Sequence, residues 1–382
     1  MSMVVFPFKS EDPAQAGSNL SVAAHHPRVS RVLAVGASDN ATFSALGSAA
    51  GDIARASGTP VEVIVQDRWG ARRPGKGDGI NTGLCCFLDS DEQRLHFYDA
   101  DIYNFAPAWI DGAERAADRG FGIVRHYFPR ASTDAMITSM ITRPGFALTH
   151  PRSILWQIHQ PLGGEFLIRR DVAQTLWEDR MVRQWSDWGT DTVLTFAMAS
   201  TGLPIYEHYV AAGKQHALYG SLEDLREMVV ECFEAVLHLA GLPSPDPVDH
   251  QVEPGSRPPA EITETVAFDP EATLHALATP WSGAEVRAAA ALPDSIATPL
   301  RANVARPSFS FLDAERWYRV LEALLERYQP NQPGWAGVLF RLWTARVLAY
   351  TTSTALAGHE RAMLMLDRTV EDYARRAGNR QA

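Results

Sequence analysis

The first half of the chain alternates short strand-like runs with segments of helical spacing. The strand-like runs are β-branched or aromatic and are bounded by polar or glycine-rich residues: 4–8, 31–36, 61–65 and 94–98. Helical spacing fills the intervals, for example over 41–57 and 83–88. This βαβα order predicts an α/β fold with a mainly parallel, twisted sheet that has helices on both faces. In such sheets, ligands bind beyond the carboxyl ends of the strands.

Two aspartates, Asp99 and Asp101, directly follow the fourth strand-like run. In an extended chain the side chains at i and i+2 lie on one face, so both carboxylates would point to the same side. Two like charges so close repel each other, and a cation beside them relieves the repulsion. We therefore expect a divalent metal there; the structural alternative is a solvated turn. The same spacing at Asp89 and Asp91 follows no strand-like run and predicts a polar turn.

Composition disfavours several classes of protein. A net charge of -10 argues against a nucleic-acid surface and against a polybasic membrane anchor. No segment approaches the ~18 consecutive apolar residues that a membrane span requires, and the first twelve residues do not resemble a secretory signal. Cys85, Cys86 and Cys232 are too few for a disulfide framework and fit no zinc pattern. The expected location is a reduced cytoplasm.

A glycine-rich stretch after the third run nearly matches a phosphate-binding P-loop. Gly70, Gly75 and Lys76 have the G-x-x-x-x-G-K spacing, but Gly77 stands where the P-loop needs a Ser or Thr hydroxyl. Pro74 also removes a backbone N–H group from the intervening loop. The pattern therefore disfavours an NTPase, whereas a lysine that opens a helix remains a reasonable contact for an anion.

Two polar segments follow. The hydroxyl-rich residues 129–145 fit two descriptions equally well: a mobile loop that closes on a small carboxylate, or a structural helix capped by Ser132 or Thr133. The block SDWGTDT predicts a helix start in which Asp187 and Asp191 lie one turn apart on one face.

The last third of the chain is predicted to be helical. Six prolines between Pro243 and Pro259 predict a linker or a long wrapping loop rather than a packed element. Beyond it, apolar residues recur at intervals of three and four from residue 271 to 376. We therefore predict three regions: a catalytic domain, 1–241; a linker, 242–260; and a helical region for packing or oligomerisation, 261–382.

Seven blocks of the sequence, in order, closely resemble the mannosylglycerate synthase family of retaining glycosyltransferases. They are VVFPFK, RPGKGDG, HFYDAD, VRHYFPRASTDAMIT, QPLGGE, SDWGTDT and GKQHALYG. The similarity extends into the helical tail at EATLHAL and FRLWTARVLAYT, so it covers most of the chain. The resemblance implies a GT-A nucleotide-sugar-binding fold, in which an Asp-x-Asp at a strand end binds a divalent ion that bridges the donor's diphosphate.

The same resemblance implies transfer of mannose from GDP-mannose to D-glycerate with retention at the anomeric carbon. The product would be the compatible solute mannosylglycerate, and the cofactor a divalent metal, Mg²⁺ or Mn²⁺, with Ca²⁺ and Co²⁺ as further candidates. The alternative is a related glycosyltransferase with another donor or acceptor, such as glucosylglycerate synthase. Donors such as GDP-glucose or UDP-glucose, and acceptors such as D-lactate or glycolate, stay open because sugar epimers differ by one hydroxyl.

Two other classes fit less well. A nucleotidyltransferase would carry a glycine-rich, arginine-containing loop after the first strand, where this chain has PFKSED. A non-catalytic sugar-binding or assembly module would have a damaged metal site, whereas Asp99, Asp101 and His216 are all present. The expected partners are therefore small-molecule substrates and a second copy of the chain, without nucleic acid or membrane.

The family pattern also implies roles for individual residues. Asp101 and His216 would bind the metal, while Asp191 and Asp99 would be catalytic, Asp99 also holding the donor. The other donor-binding residues would be Pro7, Phe8, Lys9, Glu11, Val35, Gln66, Lys76, Ala100, Leu162 and Tyr219. The acceptor-binding residues would be Arg130, Ala135, Met136, Ile137 and Thr138. The chain departs from the pattern at Ala217, where relatives carry a basic residue, and at Ser10, where they carry a histidine.

Retention can arise through a covalent intermediate or on a single face of the sugar. In retaining hydrolases a second carboxylate acts as the nucleophile, and Asp191 is the candidate for that role in this chain. A same-face mechanism suits a bound diphosphate better, because the departing phosphate oxygen can take the proton of the acceptor. We therefore expect no covalent sugar on Asp191.

Overall fold

The computed structural model describes residues 1–216, 221–302 and 309–380. The chain divides into two compact units, each assembled from three segments. The first unit comprises Met1–Pro129, Ile158–Ala217 and Pro245–Pro258, and the second comprises Arg130–Gln157, Leu218–Ser244 and Pro259–Ala382. The domain boundaries drawn from the sequence, at 241 and 260, stay a prediction.

The first unit is built on one sheet, which has eight strands among the described residues, in the order β3-β2-β1-β4-β6-β5-β7-β8. The strands are β1 Ser2–Pro7, β2 Val29–Gly36, β3 Val61–Val65, β4 Arg94–Phe97, β5 Ile123–Tyr127, β6 Phe166–Arg169, β7 Ile205–Tyr209 and β8 His250–Val252. Strand β6 runs antiparallel to β4 and β5, and the other neighbouring pairs are parallel. The prediction of a mainly parallel sheet is confirmed.

Helices cover both faces of this sheet. They are α1 Pro13–Ala24, α2 Ala41–Ser57, α3 Lys76–Leu88, α4 Pro107–Asp118, α6 Arg170–Glu178, α7 Arg180–Gln184 and α8 Thr190–Ser200; α5 belongs to the second unit. On one face, Val4 of β1 lies in a core cluster with Leu20 of α1 and Leu46 of α2. On the other face, Gly83 lets α3 approach closely, since a Cβ there would lie 2.9 Å from Val5 Cγ1. This alternation is the period of two expected of a strand.

Most of the predicted elements in the first unit are found. Strand β3 and helix α2 have the predicted bounds, and the predicted polar turn at Asp89 and Asp91 is confirmed. Helix α3 begins at Lys76 rather than at residue 83. The glycines in its first turns allow close packing, since a Cβ on Gly77 would collide with the carbonyl oxygen of Trp185.

The proline-rich segment contains a strand, contrary to the prediction that it is not a packed element. Strand β8 pairs in parallel with β7, and the pairing continues at both ends. Ile205 N donates to Asp249 O at 2.9 Å, and Glu253 N donates to Glu207 O at 2.9 Å. The prolines flank β8 and do not interrupt it, which an edge strand tolerates. The sequence pattern failed here because three residues are too short for a recognisable alternation.

The second unit is helical in its described residues. It contains a π-helical turn Thr138–Thr142, α5 Arg143–Thr149, a 3₁₀ turn Leu222–Leu225, α9 Arg226–Leu239, α10 Ala260–Thr263, α11 Pro270–Ala278, α12 Gly283–Ala290, α13 Asp294–Ala302, α14 Ala314–Arg327, α15 Trp335–Thr354 and α16 His359–Arg380. The predicted helical tail is confirmed. Its aromatic residues form core, as shown by the fully buried Trp317 and Trp343. Both indole N–H groups donate to backbone carbonyls, of Met140 at 2.8 Å and Met136 at 3.3 Å.

The predicted helix caps at Ser132 and Thr133 are wrong. Both residues lie in a turn, and the helical conformation begins only at Met136. The Thr133 hydroxyl instead donates to Thr265 O at 3.4 Å and accepts from Ala267 N at 3.1 Å. No described helix combines the length and the apolar character that a membrane-spanning segment requires.

Candidate active site

Lys76 joins two aspartates beyond the carboxyl end of β4. Asp99 follows β4, and its Oδ1 lies 2.7 Å from Lys76 Nζ. Asp191 stands in the first turn of α8, and its Oδ2 lies 3.2 Å from the same nitrogen. Lys76 is the first residue of α3, so the fold brings the start of two helices and the end of one strand to a single point. Three residues predicted to serve the site are thus in direct contact.

Lys214, in the segment after β7, bridges the other side of Asp99. Its Nζ lies 2.6 Å from Asp99 Oδ2 and 2.6 Å from Glu165 Oε1, just before β6. Asp101 Oδ1 lies 4.0 Å from the same nitrogen. Two lysines and four carboxyl groups therefore form one cluster at this edge of the sheet.

Burial and pairing shift the pKa values of this cluster in opposite directions. Burial alone would lower the pKa of Lys76, but Asp191 and Asp99 outweigh it and raise that pKa well above its usual value. Burial alone would raise the pKa of Asp99, but Lys214 and Lys76 hold it well below the usual range. For Glu165 burial prevails over Lys214, and with Asp99 nearby it raises the pKa to about 7. Asp99 is therefore ionised at neutral pH, while Glu165 is protonated more easily than an ordinary glutamate.

A buried arginine holds the turn that carries Glu165. Arg125 Nη2 donates to the carbonyl oxygens of Gln160, at 2.9 Å, and Gly163, at 3.0 Å. Leu162, predicted to bind the donor, lies in this turn and is half-buried. Because one guanidinium clamps two carbonyls of the same short segment, the position of Glu165 depends on Arg125 as well as on its own contacts.

Glu207 of β7 anchors the entry to the same turn. Its Oε2 accepts hydrogen bonds from the His159 backbone N, at 3.1 Å, and from the His159 ring Nδ1, at 2.9 Å. Its Oε1 lies 2.7 Å from His250 Nε2 of β8. Burial alone would raise the pKa of Glu207, but the hydrogen bonds of His159 and His250 outweigh it and lower the pKa to about 2.

This pairing predicts an acid-sensitive contribution to stability. A carboxyl group with a lowered pKa in the folded protein stabilises it above the unfolded pKa, near 4.5, and loses this effect as pH falls towards about 2. We expect Glu207→Gln to lower the free energy of unfolding at pH 7 by roughly 3 kcal/mol. The difference from the unsubstituted protein should shrink as pH falls below about 5. Urea unfolding at a series of pH values measures it, and a constant difference would contradict the assignment.

The glycine-rich loop before Lys76 is folded around a buried carboxylate rather than open for phosphate. Asp78 Oδ1 accepts hydrogen bonds from the backbone N of Trp69, at 2.9 Å, and Gly70, at 3.0 Å. Gly77 N donates to Ser186 O at 3.1 Å. Backbone donors that a P-loop would direct at phosphate are thus used within the protein, which agrees with the weak sequence match.

Asp187 does not share a helix face with Asp191, and that prediction is wrong. Helix α8 begins at Thr190, after Asp187. Asp187 Oδ1 accepts from Gly189 N at 3.0 Å, and its Oδ2 lies 3.1 Å from Arg72 Nη1. Asp187 therefore stabilises the turn before the helix, and of the two aspartates Asp191 alone contacts the cluster.

The predicted donor-binding residues mostly lie at the carboxyl ends of strands. Pro7 is the last residue of β1, Val35 is the penultimate residue of β2, and Gln66 directly follows β3. Phe8 and Ala100 are buried close to the ends of β1 and β4. Lys9 N donates to Glu11 Oε2 at 2.5 Å. Burial raises the pKa of Glu11, and although backbone hydrogen bonds oppose this, Asp101 and Asp99 add to it, so Glu11 lies within their field. Tyr219 and the departure at Ala217 lie outside the described residues.

The predicted acceptor-binding residues belong to the second unit. Arg130 Nη1 lies 2.7 Å from Asp134 Oδ2, and Asp134 Oδ1 accepts from Ala135 N at 2.6 Å. Ala135 has a φ of 53°, the one non-glycine residue with positive φ in the described ranges. Alanine rarely adopts this conformation, and such strain concentrates at functional sites. Met136, Ile137 and Thr138 are buried directly after it.

Asp101 offers an oxygen that fits a metal ion. Its Oδ1 is buried and accepts no hydrogen bond, a costly state that a bound cation would relieve. His216 is half-buried in the segment that carries Lys214. In the described part of the chain, no group of three or more His, Cys, Asp and Glu side chains could hold a metal ion. An ion at Asp101 and His216 would therefore take its other ligands from substrate oxygens and water, as Mg²⁺ commonly does.

Two members of the cluster, Glu165 and Lys214, were not among the residues predicted from the sequence. Both lie inside blocks that carry the family resemblance, QPLGGE and GKQHALYG. A further signal was available in the composition: of 35 basic residues, three are lysines, at positions 9, 76 and 214. Because most basic residues of this chain are arginines, each lysine marks a position where a compact ammonium group suits the surroundings better than a planar guanidinium.

Comparison with known proteins places the whole chain. Residues 2–238 match the model of the mannosylglycerate synthase GT domain, and residues 262–370 match the mannosylglycerate synthase C-terminal domain. Mannosylglycerate synthase from Rhodothermus marinus is 50% identical over 374 residues, which is 98% of this chain and 94% of that protein. Mannosylglycerate synthase from Selaginella moellendorffii is 42% identical over 367 residues, 95% of this chain and 87% of that one.

A solved structure of glucosyl-3-phosphoglycerate synthase from Mycobacterium tuberculosis, in complex with Mn²⁺, uridine-diphosphate-glucose and phosphoglyceric acid, is also similar. Its TM-score is 0.48 at 19% identity, covering 64% of this chain and 81% of that one. The glycosyltransferase-domain match and the mainly parallel sheet confirm the predicted GT-A class with a helical C-terminal region. The chain is a glycosyltransferase, and it belongs to the mannosylglycerate synthase family.

Proposed function

We propose that the protein transfers mannose from GDP-mannose to D-glycerate with retention at the anomeric carbon, forming mannosylglycerate with the help of a divalent metal. The observation that carries the proposal is the pairing of Lys76 with both Asp99 and Asp191 beyond β4. It joins residues from three of the sequence blocks that this chain shares with its family. The 50% identity to the Rhodothermus marinus enzyme over nearly the whole chain supports the same substrates.

The donor's diphosphate would bind near Lys76. This lysine stands at the start of α3, where the positive end of the helix dipole favours anions. Asp101 and His216 would hold the metal, and a divalent ion bound there supplies Lewis-acid stabilisation of the leaving diphosphate. Lys9, Glu11 and the residues that end β1, β2 and β3 would contact the nucleotide.

Asp191 would orient the sugar and the acceptor hydroxyl. Lys76 holds its Oδ2, while its Oδ1 is buried and has no hydrogen-bond partner. An unpaired buried carboxylate oxygen is costly, so a substrate hydroxyl that donates to it would be bound favourably. We propose that the leaving phosphate oxygen accepts the acceptor's proton on the same face of the sugar, so that Asp191 forms no bond to carbon.

For the acceptor we propose Arg130 and residues 135–138. A guanidinium recognises a carboxylate with two parallel hydrogen bonds, which suits D-glycerate. Arg130 pairs with Asp134 in this structure. The substrate carboxylate would either displace Asp134 from the guanidinium or bind to the guanidinium beside it. Other donors, GDP-glucose or UDP-glucose, and other acceptors, D-lactate or glycolate, are the alternatives. Assembly into a homo-oligomer through the helical region, 261–382, is a further proposal.

The test is an activity panel with the purified protein. Each nucleotide sugar is combined with each acceptor in Mg²⁺ or Mn²⁺, with and without EDTA, and the released nucleoside diphosphate and product are identified. We expect GDP release with GDP-mannose and D-glycerate, loss of release in EDTA, and an α-linked product by NMR. Release of UDP with UDP-glucose would select the alternative donor. Absence of release from every donor would overturn the proposed function.

A further inference from the structure

A single ammonium group spans the acidic side of the proposed metal site. Lys214 Nζ contacts Asp99 Oδ2 and Glu165 Oε1 at 2.6 Å each and lies 4.0 Å from Asp101 Oδ1. The Lys214 side chain is 8% exposed, so solvent screens these charges weakly. The short contacts with Asp99 and Glu165 hold the ammonium group of Lys214 beside the proposed metal ligand.

A divalent cation at Asp101 would meet this charge. Asp101 Oδ1 is buried and accepts no hydrogen bond, so it suits a cation. The ammonium group 4.0 Å from that oxygen repels any further positive charge placed on it. The donor's diphosphate would add negative charge and compensate both cations. Lys214 thus offsets part of the negative charge that would attract a metal ion alone, and the site accepts metal and diphosphate best as a pair.

We propose that Lys214 is an internal counter-ion that suppresses divalent-metal binding at Asp101 until the donor's diphosphate binds. The inference rests on the proposed function, because it takes Asp101 as the metal ligand. It means that metal and nucleoside diphosphate bind with positive coupling, and that Lys214 is a major source of that coupling. By linkage, the metal strengthens GDP binding by the same factor as GDP strengthens metal binding.

The direct test measures Mn²⁺ binding without turnover. Free Mn²⁺ is quantified by electron paramagnetic resonance in titrations of the protein, with and without GDP. For the unsubstituted protein we expect GDP to tighten Mn²⁺ binding. In Lys214→Met, which keeps most of the side chain's length but no charge, we expect Mn²⁺ binding without GDP to tighten at least about tenfold, given charge energies at this distance. The effect of GDP on Mn²⁺ affinity should shrink correspondingly.

Two further variants separate the possible failures. Lys214→Arg keeps the charge and should leave Mn²⁺ binding without GDP close to that of the unsubstituted protein. Asp101→Asn should abolish Mn²⁺ binding to the GDP complex; if it does not, the proposed metal site is wrong. If the GDP complex binds Mn²⁺ through Asp101, but Lys214→Met without GDP binds Mn²⁺ no more tightly than the unsubstituted protein, only the counter-ion role is overturned.

A second measurement needs no substitution at Lys214. The chain has three lysines, so ¹⁵N-lysine labelling gives at most three side-chain Nζ signals, which Lys9→Arg and Lys76→Arg assign by elimination. We expect Mg²⁺ at a concentration that saturates the GDP complex to leave the Lys214 signal unchanged without GDP and to shift it with GDP. An equal shift by Mg²⁺ alone would overturn the proposal.

Discussion

Replacing Asp191 with alanine is expected to lower turnover by roughly a thousandfold, the size of effect found when a positioned acid–base or orienting group is removed. The Asp191 side chain is buried in the first turn of α8. Its Oδ1 accepts no hydrogen bond, whereas its Oδ2 pairs with Lys76. The variant should lose the hydrogen bond that orients the reacting hydroxyl, yet still bind GDP, because Asp99 keeps Lys76 in place. Steady-state GDP release and calorimetric GDP binding measure the two effects separately.

The same residue separates the two routes to retention. If the reaction proceeds on one face of the sugar, no hexose becomes attached to Asp191, and Asp191→Asn should retain more activity than Asp191→Ala because the amide still orients a hydroxyl. Peptide mass spectrometry of enzyme quenched during turnover checks this directly. A hexose mass on the peptide that contains Asp191 would establish a covalent intermediate and contradict the same-face mechanism. Asp187→Ala is the matched control, since Asp187 is a buried aspartate of the same segment that pairs with Arg72.

The first four strands of the sheet could be predicted from the sequence because each of them is locally encoded. Runs of β-branched and aromatic residues between glycine-rich segments define β1 to β4, and alternation with helical segments requires parallel pairing. The short strand β8 and the early start of α3 could not be predicted in this way. Strand β8 is too short to show alternation. The glycines at the start of α3 are required by packing against Trp185, which is distant in sequence.

The aspartates and Lys76 could be predicted from the sequence, but Lys214, Glu165 and the geometry of the cluster could not. Asp99 and Asp101 stand out because they follow a strand, and Asp191 was found through the family resemblance. The position of Lys214 between Asp99 and Glu165 depends on the segments after β4 and β7 and before β6, so no spacing within one segment predicts it. Asp187 shows the opposite error: its spacing from Asp191 suits a helix, but the helix begins after it.

A methyl group at position 164 is expected to abolish activity without unfolding the protein. Gly164 lies in the turn that Arg125 clamps, and a Cβ there would collide with Lys76 Nζ and Asp99 Oδ1 and lie 2.9 Å from Lys76 Cε. Its φ is outside the positive range, so alanine suits the backbone and the collision alone decides the effect. These side-chain ends must shift to make room for the methyl group, which displaces the Lys76–Asp99 pair from the position proposed for donor binding. We expect turnover to fall at least about a hundredfold, because displacement of a positioning group by about 1 Å has effects of this size.

The collision is expected to lower turnover through a local change at the site, while the rest of the protein stays folded. Overpacking of this kind costs about 1–3 kcal/mol of stability, so Gly164→Ala should still unfold cooperatively and show the native circular dichroism spectrum. Gly47→Ala is the matched control: it adds the same methyl group inside α2 with nothing within 4 Å, and it should keep full turnover. GDP binding distinguishes the cause, since displacement of the Lys76–Asp99 pair should weaken it in Gly164→Ala alone. If Gly164→Ala turns over within about threefold of the unsubstituted enzyme, a difference of well under 1.4 kcal/mol in the barrier, the Lys76–Asp99 pair has no part in the reaction.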